Sequence, residues 1–391
     1  MRVLISSVGT RGDVQPALAL AQRLRDLGCE ARLCVPPNFV AWAQGLGFAA
    51  RPLGVEMRAP RPGVAPPPVP DLITDQFETL QAAAEGCDAV VGAGVHQYAA
   101  RSVAERNGAR YLIAAYAPVS LPSADLAPAG RAVAQQEPAE IQRRWQAARR
   151  GWNDRSLGRV NLNRGRLGLA PVDDLLDHIL GARPLLACDA WLGPAPRAAD
   201  VEVVQTGAWL LPDTAALPPA LDAFLAAGEA PVYLGFGSMP APYETNLALV
   251  EAVRAVGRRM VLSAGWAGFA RIDDAPDGLV IEDVNHQALF PRVAAVVHHG
   301  GAGTTTAAAL AGAPQVVAPL FSDQFYWASR VAELGLGAVA PSALDSYELA
   351  RALDAALRPA VTARASAAAG QVSTTGADTA ARIVVEGGRS A

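Results

Sequence analysis

A glycine-rich turn between an apolar strand and a helix is the feature that most constrains how this chain folds. The β-branched run 294–297 predicts a buried parallel strand, and the small residues 307–311 predict a helix soon after it. Such a turn points backbone N–H groups and the positive end of a helix dipole at an anion, and glycine lets the ligand come close. The turn and its borders contain His298, His299, Gly300, Gly301, Ala302, Gly303, Thr304 and Thr305. Because the histidines and threonines add side-chain donors, the stretch predicts a diphosphate site in the second half of the chain.

The size and charge of the chain limit its possible partners. Its 391 residues are enough for two domains, and 51% hydrophobic with 18% charged residues is typical of a globular α/β protein. The net charge of -4 gives no reason to expect a nucleic-acid partner. The four cysteines have no metal spacing, no signal peptide precedes the first strand, and no apolar run is long enough for a bilayer. We therefore expect a reduced, cytoplasmic protein without a metal site or stable membrane insertion.

The first half opens with a βαβ unit. An apolar strand over 2–7 is followed by a turn, a helix over 14–27 and a second strand over 31–35. Gly9 and Gly12 lie in the turn but do not satisfy the pattern G-x-G-x-x-G, so the turn is not a good dinucleotide fingerprint.

Asp13 lies in this first turn, at the beginning of the helix. Aspartate is favoured there as a cap, which is the more common explanation for such a residue. The alternative is a general base facing a cleft, and the two roles are compatible. The positive end of the helix dipole is expected to depress the pKa of the carboxyl group and to weaken it as a base.

Three other features of the first half have a structural and a functional explanation. Residues 58–70 contain six prolines and predict a long surface loop, a kind of segment that is often functional. His96 follows a buried strand and lies where a helix is predicted to start, but a lone histidine is more often structural. Residues 131–168 predict an arginine-rich helix whose charged face is solvated. Trp145 and Trp152, seven residues apart, are expected to form one apolar seam along the same helix.

The second half repeats the strand, glycine turn and helix pattern. The pattern stops in the proline-rich stretch after residue 210 and restarts with the strand and turn at 232–238, so two doubly wound α/β domains are predicted to face each other across a cleft. The predicted domain limits are 1–205, a linker over 206–228, a second domain over 229–375, and a tail over 376–391 that is expected to cross back to the first domain.

Asp323 and Gln324 follow a predicted strand over 315–319 in the second domain. A carboxylate and an amide side by side at the end of a strand are suited to vicinal sugar hydroxyls, since one accepts hydrogen bonds and the other also donates them. The alternative is an ordinary cap for a helix that begins at Phe325.

The motifs of both halves occur together in one known family. The chain resembles the family-1 GT-B glycosyltransferases, and among them most the bacterial antibiotic enzymes of the vancomycin group. The resemblance covers essentially the whole chain and is strongest after about residue 200. It rests on the stretches Arg11–Pro16, Glu85–Val91, Val204–Trp209, Gly235–Ser238, Arg258–Ser263, Val284–Gln287, His298–Thr304 and Asp323–Gln324.

The resemblance implies an inverting transfer of a sugar from a nucleoside diphosphate, TDP or UDP, to a hydroxyl of a natural-product aglycone. A glycopeptide antibiotic is the favoured acceptor, and no metal or other cofactor is expected. Asp13 matches the general base and His299 the histidine that contacts the diphosphate, with His298 behind it or in the core. The other matching donor-site positions are Thr10 and Ser238 near the phosphates, Trp266 and Val284 as walls of the base pocket, Gly300, Gly301, Ala302, Gly303 and Thr304 in the turn, and Asp323 and Gln324 at the sugar.

Three rival functions remain open at this stage. The sequence Arg-Gly-Asp-Val-Gln-Pro also occurs in sterol glucosyltransferases, so a UDP-sugar enzyme acting on a sterol or lipid is the main alternative. A nucleotide-sugar epimerase of the same architecture would turn over its donor without an acceptor. A non-catalytic helper protein would have no need for both a base and a diphosphate site. The loop over 58–70 is expected to cover a rigid aglycone, and the oligomeric state is left open.

Overall fold

Two doubly wound α/β units make up the computed structural model, which describes residues 1–57, 71–130, 137–197, 201–239, 241–341 and 345–387. The proline-rich loop predicted over 58–70 lies outside the described residues, as does the start of the helix predicted over 131–168. Each unit is built on a wholly parallel sheet, which confirms the predicted fold class.

The first described sheet has seven strands in the order β3-β2-β1-β4-β5-β6-β7. They are β1 (Arg2–Ser7), β2 (Glu30–Val35), β3 (Ala49–Pro52), β4 (Ala89–Ala93), β5 (Arg110–Ala115), β6 (Leu185–Leu186) and β7 (Val204–Gln205). The helices of this part are α1 (Arg11–Asp26), α2 (Pro37–Gly45), α3 (Leu72–Ala83), α4 (Ala100–Arg106), α5 (Pro138–Trp152), α6 (Gly158–Arg166) and α7 (Leu175–Leu180).

The second described sheet has six strands in the order β10-β9-β8-β11-β12-β13. They are β8 (Val232–Leu234), β9 (Met260–Ser263), β10 (Gly278–Ile281), β11 (Ala295–His298), β12 (Gln315–Val317) and β13 (Gly337–Val339). The helices are α8 (Pro219–Ala226), α9 (Tyr243–Ala255), α10 (His286–Leu289), α11 (Ala302–Leu310), α12 (Gln324–Glu333), α13 (Ser346–Ala356), α14 (Pro359–Ala368) and α15 (Gly376–Glu386).

The strand order creates one topological switch point in each sheet. In the first sheet the order reverses between β1 and β4, and in the second between β8 and β11. Open parallel sheets bind ligands in the crevice outside the carboxyl ends of the strands at these points. Both glycine turns singled out in the sequence, after β1 and after β11, therefore lie where a ligand is expected.

The last described helix returns to the first unit. Ala377, Ala380, Ala381 and Val384 of α15 are buried in the same apolar cluster as α1 and the first strands. Gly207 and Gly376 approach so closely that a side chain at either position would meet the other's backbone. The domain limits themselves stay a prediction.

The region around the two tryptophans differs from the prediction. Asn153–Leu157 form a π-helical turn between α5 and α6. Trp145 is buried, and its indole N–H donates to the carbonyl of Leu126, whereas Trp152 packs in a different apolar cluster. The single tryptophan seam is therefore wrong, because the two rings on one helix face contact different parts of the first unit.

Candidate active site

The turn after β1 holds Asp13 through its own backbone. Thr10 is the cap of α1, and its N–H donates to Asp13 Oδ2 at 2.8 Å, while its hydroxyl lies 3.4 Å from the same oxygen. Gly9 adopts a φ of +136°, and a Cβ there would lie 2.1 Å from Asp13 Oδ2. The turn can therefore place the carboxylate only because residue 9 has no side chain.

Two hydroxyl groups form hydrogen bonds with the backbone of Asp13. Ser7 Oγ and Tyr116 Oη each donate to the carbonyl oxygen of Asp13 at 3.0 Å. Directly after β4, a Cβ at Gly94 would lie 3.7 Å from Asp13 Oδ1. Asp13 thus completes the capping box of α1, and its half-buried carboxylate lies at the switch point, where its role as a general base stays a prediction.

The pKa of Asp13 moves in the opposite direction from the one predicted. The pKa rises from 3.8 to about 6, mainly because burial removes the carboxyl group from water; hydrogen bonds from Thr10 oppose the rise and repulsion by the Asp323 carboxylate adds to it. The expected net depression of the pKa is wrong because burial outweighs the hydrogen bonds that stabilise the carboxylate. A carboxylate whose pKa lies nearer neutrality is a better base.

We expect the pH profile of kcat/KM to fall on its acid side with an apparent pKa of about 6, because the base is active only as the carboxylate. Replacing Asp323 with Asn removes a repulsive charge and should move this limb to lower pH. Rates measured from pH 4.5 to 9 in both proteins test this. A limb at the same pH in the two proteins would contradict the assignment.

The predicted diphosphate site lies at the switch point of the second sheet. Gly301 is the cap of α11, and the first N–H bonded inside the helix is that of Thr305, which donates to Gly301 O at 3.0 Å. The preceding N–H groups of the first turn have no partner within a helix and are therefore available to an anion. The hydroxyl of Thr305 donates to the same carbonyl, so the prediction of Thr305 as a ligand donor is wrong, while Thr304 is half-buried beside it.

His299 lies between the two glycine turns of the second unit. A Cβ at Gly237 would lie 3.7 Å from the His299 ring, and a Cβ at Gly301 would lie 2.7 Å from it. Its Nδ1 is buried without a hydrogen-bond partner among the described residues. Burial lowers the pKa of His299 to about 4, so the ring is neutral at pH 7. Ser238 follows Gly237 in the turn after β8 and is half-buried.

His298 belongs to the core, one of the two places that the resemblance implied for it, so its side chain is not a free donor for the diphosphate. It is the last residue of β11 and is fully buried. Its Nε2 lies 2.9 Å from Gln315 Oε1 on β12, and its Nδ1 accepts from the N–H of Gly300 at 3.1 Å. Since both ring nitrogens are used, His298 stabilises the turn and does not face a ligand.

Asp323 and Gln324 lie at the start of α12, with different environments. Asp323 makes no side-chain cap bond; its Oδ2 accepts from Trp327 Nε1 at 3.1 Å, and burial raises its pKa. Asp323 is therefore the cap residue of α12 by position, as the alternative predicted, but its carboxylate does not bond the free N–H groups of the helix. Gln324 is buried, and its Oε1 accepts from the N–H groups of Leu320 and Phe321. That oxygen is occupied, and Nε2 donates to Met239 Sδ at 3.7 Å, which leaves the second amide hydrogen of Gln324 as the donor that a sugar could use.

The two residues predicted to line the base pocket do not pack together. Trp266 stacks on Phe39 of α2, with ring centroids 6.5 Å apart and an angle of 17° between the rings. The backbone N–H of Trp266 donates to the carbonyl of Gly237 at 2.9 Å, so Trp266 borders the turn after β8. Val284 packs in a separate cluster of the second unit. Trp266 therefore connects the two units, a contact that the sequence did not indicate.

A charged contact also joins the two sides of the cleft. Arg11 Nη1 lies 2.6 Å from Asp283 Oδ2, and the Arg11 guanidinium lies 4.8 Å from the centre of the Trp42 ring. Arg11 and Asp283 are 40% and 74% exposed, so the pair contributes little to folding stability. It joins the turn that carries Asp13 to the residue before Val284.

We expect Arg11→Ala and Asp283→Asn each to lower kcat/KM by at most about fivefold. The double variant should have a kcat/KM no lower than that of the less active single variant, because both changes remove the same contact. The loss should disappear at high salt, because the pair is exposed. A double-mutant cycle at two salt concentrations measures this. Arg183→Ala, which breaks an exposed pair with Glu202 inside the first unit, is the matched control. Additive losses would show that the two residues act separately.

Several supporting residues were not predicted from the sequence. Tyr116 and Trp327 hold Asp13 and Asp323, respectively, while Arg330 of α12 donates to the carbonyls of Trp191 and Leu192 in the first unit. Tyr116 directly follows a strand, which is a usable signal for a site residue. The contact of Trp327 with Asp323 is local, four residues apart at the start of α12, whereas the contacts of Arg330 depend on long-range packing. No group of three or more metal-ligating side chains was found among the described residues, and none of their helices is long and apolar enough to cross a bilayer.

The chain resembles known protein families in both of its units. Its residues 3–123 match the family model of the glycosyltransferase family 28 N-terminal domain. Residues 248–382 match the model described as erythromycin biosynthesis protein CIII-like, C-terminal domain. Solved structures share the fold: the glycosyltransferase VinC in complex with DTDP has a TM-score of 0.70 at 20% identity, with 100% of both chains covered.

Curated relatives are more similar in sequence. Vancomycin aglycone glucosyltransferase from Amycolatopsis orientalis is 43% identical, over 99% of this chain and 97% of that protein. The dTDP-epi-vancosaminyltransferase of the same organism is 42% identical, over 94% of this chain and 92% of that protein. The chain therefore belongs to the GT-B glycosyltransferases of the vancomycin group.

Proposed function

We propose that this glycosyltransferase moves a sugar from a thymidine-diphosphate donor to a hydroxyl of a glycopeptide aglycone, with inversion at the anomeric carbon. The observation that carries the proposal is the carboxylate of Asp13, with its pKa raised to about 6, on the opposite side of the cleft from the start of α11. The names of two relatives, one acting on vancomycin aglycone and one using a dTDP sugar, support the choice of acceptor and donor.

The reaction follows from the placement of these groups. The acceptor hydroxyl gives its proton to Asp13 as its oxygen forms the new bond to the anomeric carbon. The bond from that carbon to the diphosphate breaks, and its electron pair leaves with the phosphate oxygen. Because attack and departure occur on opposite faces in one displacement, the configuration inverts.

The donor side stabilises the leaving group and holds the sugar. The free N–H groups of the first turn of α11 and the ring of His299 are suited to the negative charge that develops on the diphosphate. Asp323 and the amide nitrogen of Gln324 are suited to the sugar hydroxyls. We propose that this charge stabilisation operates without a metal, with Thr10 and Ser238 beside the phosphates.

Calorimetric titration with TDP and UDP, followed by transfer assays with a glycopeptide aglycone in the presence of EDTA, tests the proposal. We expect tighter binding of TDP, transfer to the peptide and no loss of activity with EDTA. Preference for UDP without transfer to the peptide would favour the sterol or lipid acceptor. Turnover of donor without any acceptor would favour an epimerase, and no nucleotide binding would contradict the diphosphate site.

A further inference from the structure

Three aromatic rings lie beside the turn that carries the catalytic carboxylate, and neither the donor site nor the proposed reaction uses them. They belong to His96, Tyr98 and Trp152, which we call the aromatic platform. The ring centroids of His96 and Trp152 are 5.5 Å apart, those of Tyr98 and Trp152 are 5.8 Å apart, and those of His96 and Tyr98 are 6.4 Å apart. All three distances are within the range of interacting aromatic pairs.

The register of the first sheet places the platform next to Asp13. Ser7 of β1 pairs with Ala93 of β4, so the loop after β4 leaves the sheet beside the catalytic turn. A Cβ at Gly94, the first residue of that loop, would lie 3.7 Å from Asp13 Oδ1. His96 is two residues further along the chain. Two residues span at most about 7 Å. The backbone of His96 is therefore within about 7 Å of the residue that borders the carboxylate.

The loop that carries His96 is held in place, as a binding surface requires. The buried side chain of Gln76 donates to the carbonyl of His96 at 3.0 Å and accepts from the N–H of Ala99 at 3.4 Å. Gln97 is buried, and its amide donates to the carbonyl of Ala93 at 3.2 Å. Hydrogen bonds therefore hold the backbone of the loop on both sides of His96, while His96 itself is exposed.

Trp152 is positioned from a different element. It ends α5, directly before the π-helical turn, and such turns are frequent at functional sites. Asn153 holds the turn, because its side chain accepts from the N–H of Leu175 at 2.9 Å and donates to Asp174 at 3.2 Å. Trp152 and Tyr98 are half-buried and pack against the same buried cluster as Val8, the residue before Gly9. The platform thus joins the apolar core to the catalytic turn, with the His96 ring on its exposed side.

We infer that the aromatic platform is a stacking subsite for an aromatic ring of the acceptor, next to the hydroxyl that receives the sugar. The occupant is the acceptor because the platform adjoins the carboxylate that removes the acceptor's proton, whereas the nucleotide turns belong to the other unit. This inference rests on the proposed function for the role of Asp13.

Equilibrium binding without donor tests the subsite separately from transfer. The probes are a glycopeptide aglycone, a flat polycyclic phenol and a saturated sterol, each titrated against the full chain. We expect His96→Ala to weaken binding of both aromatic probes about three- to tenfold, His96→Phe to retain it, and TDP affinity to stay unchanged in both variants. Tyr347→Ala, which removes an exposed tyrosine from α13, is the matched control.

The outcomes separate the subsite from a merely structural role. Equal aromatic affinity in His96→Ala and Tyr347→Ala would overturn the inference, as would a wild-type preference for the sterol over the aromatic probes. A loss of TDP affinity and thermal stability together with aromatic binding would also overturn it, since that indicates a structural role. Absence of sugar transfer by the wild type would contradict the proposed function, while the binding comparison would still decide on the platform.

Discussion

Replacing Asp13 with asparagine should leave the fold intact and lower kcat by about a hundred- to ten-thousand-fold, the usual contribution of a general base. The amide oxygen can still accept the hydrogen bond from Thr10, and its size fits the space against Gly9. Only the ability to take up a proton is lost. Single-turnover rates with saturating donor and acceptor measure the effect, and calorimetry with TDP should show unchanged affinity.

The matched control for this experiment lies on the same helix. Asp26 is at the other end of α1, half exposed and paired with Arg23, so Asp26→Asn removes an equal charge without touching the cleft. We expect wild-type turnover in this control. If Asp13 were only a helix cap, Asp13→Asn would instead lower the melting temperature and retain turnover, and that result would refute its role as the base.

Replacing His299 with alanine should weaken binding of TDP by about ten- to a hundredfold, because a hydrogen bond to a charged group contributes about 1.5–3 kcal/mol. Its Nδ1 is buried without a partner among the described residues, so the ring has a hydrogen-bonding group to offer a ligand. His299→Asn, which keeps a donor, should recover part of the affinity. Calorimetric titration of both variants measures the difference.

The neighbouring histidine provides the control. His298→Asn should lower the free energy of unfolding by about 1–3 kcal/mol, because it breaks buried hydrogen bonds to Gln315 and Gly300. Its effect on TDP affinity should be smaller than that of His299→Ala. The opposite order of effects on affinity would mean that the roles of the two histidines are reversed.

The sequence was sufficient for the elements that depend on local pattern. Apolar runs followed by glycine turns and amphipathic stretches predicted the strands and helices of two doubly wound units, because strand and helix periods differ and glycine marks the turns. Residues between the end of such a strand and the first turn of the next helix, among them Asp13, His299 and Asp323, were predicted site residues, since parallel strands end at one edge of a sheet.

Local pattern alone, without the family resemblance, does not say which side chain at a strand end is free to meet a ligand. His298 and His299 are adjacent in sequence. Gln315 on the next strand forms a buried hydrogen bond with the ring of His298, and this long-range contact keeps His298 in the core. The same holds for Gln324, whose oxygen is occupied by the backbone of its own loop. Such partners are set by strand order and loop geometry.

Contacts between the units and the acidity of the base were decided by the tertiary structure alone. Phe39 and Trp266, and Arg11 and Asp283, are more than two hundred residues apart in sequence and meet only across the cleft. The pKa of Asp13 rises because folding removes its carboxyl group from water and brings Asp323 close, and these effects outweigh the hydrogen bonds from Thr10. Local pattern therefore determined the elements and their ends, while burial and long-range charge, which have no local signature, determined what the side chains at those ends can do.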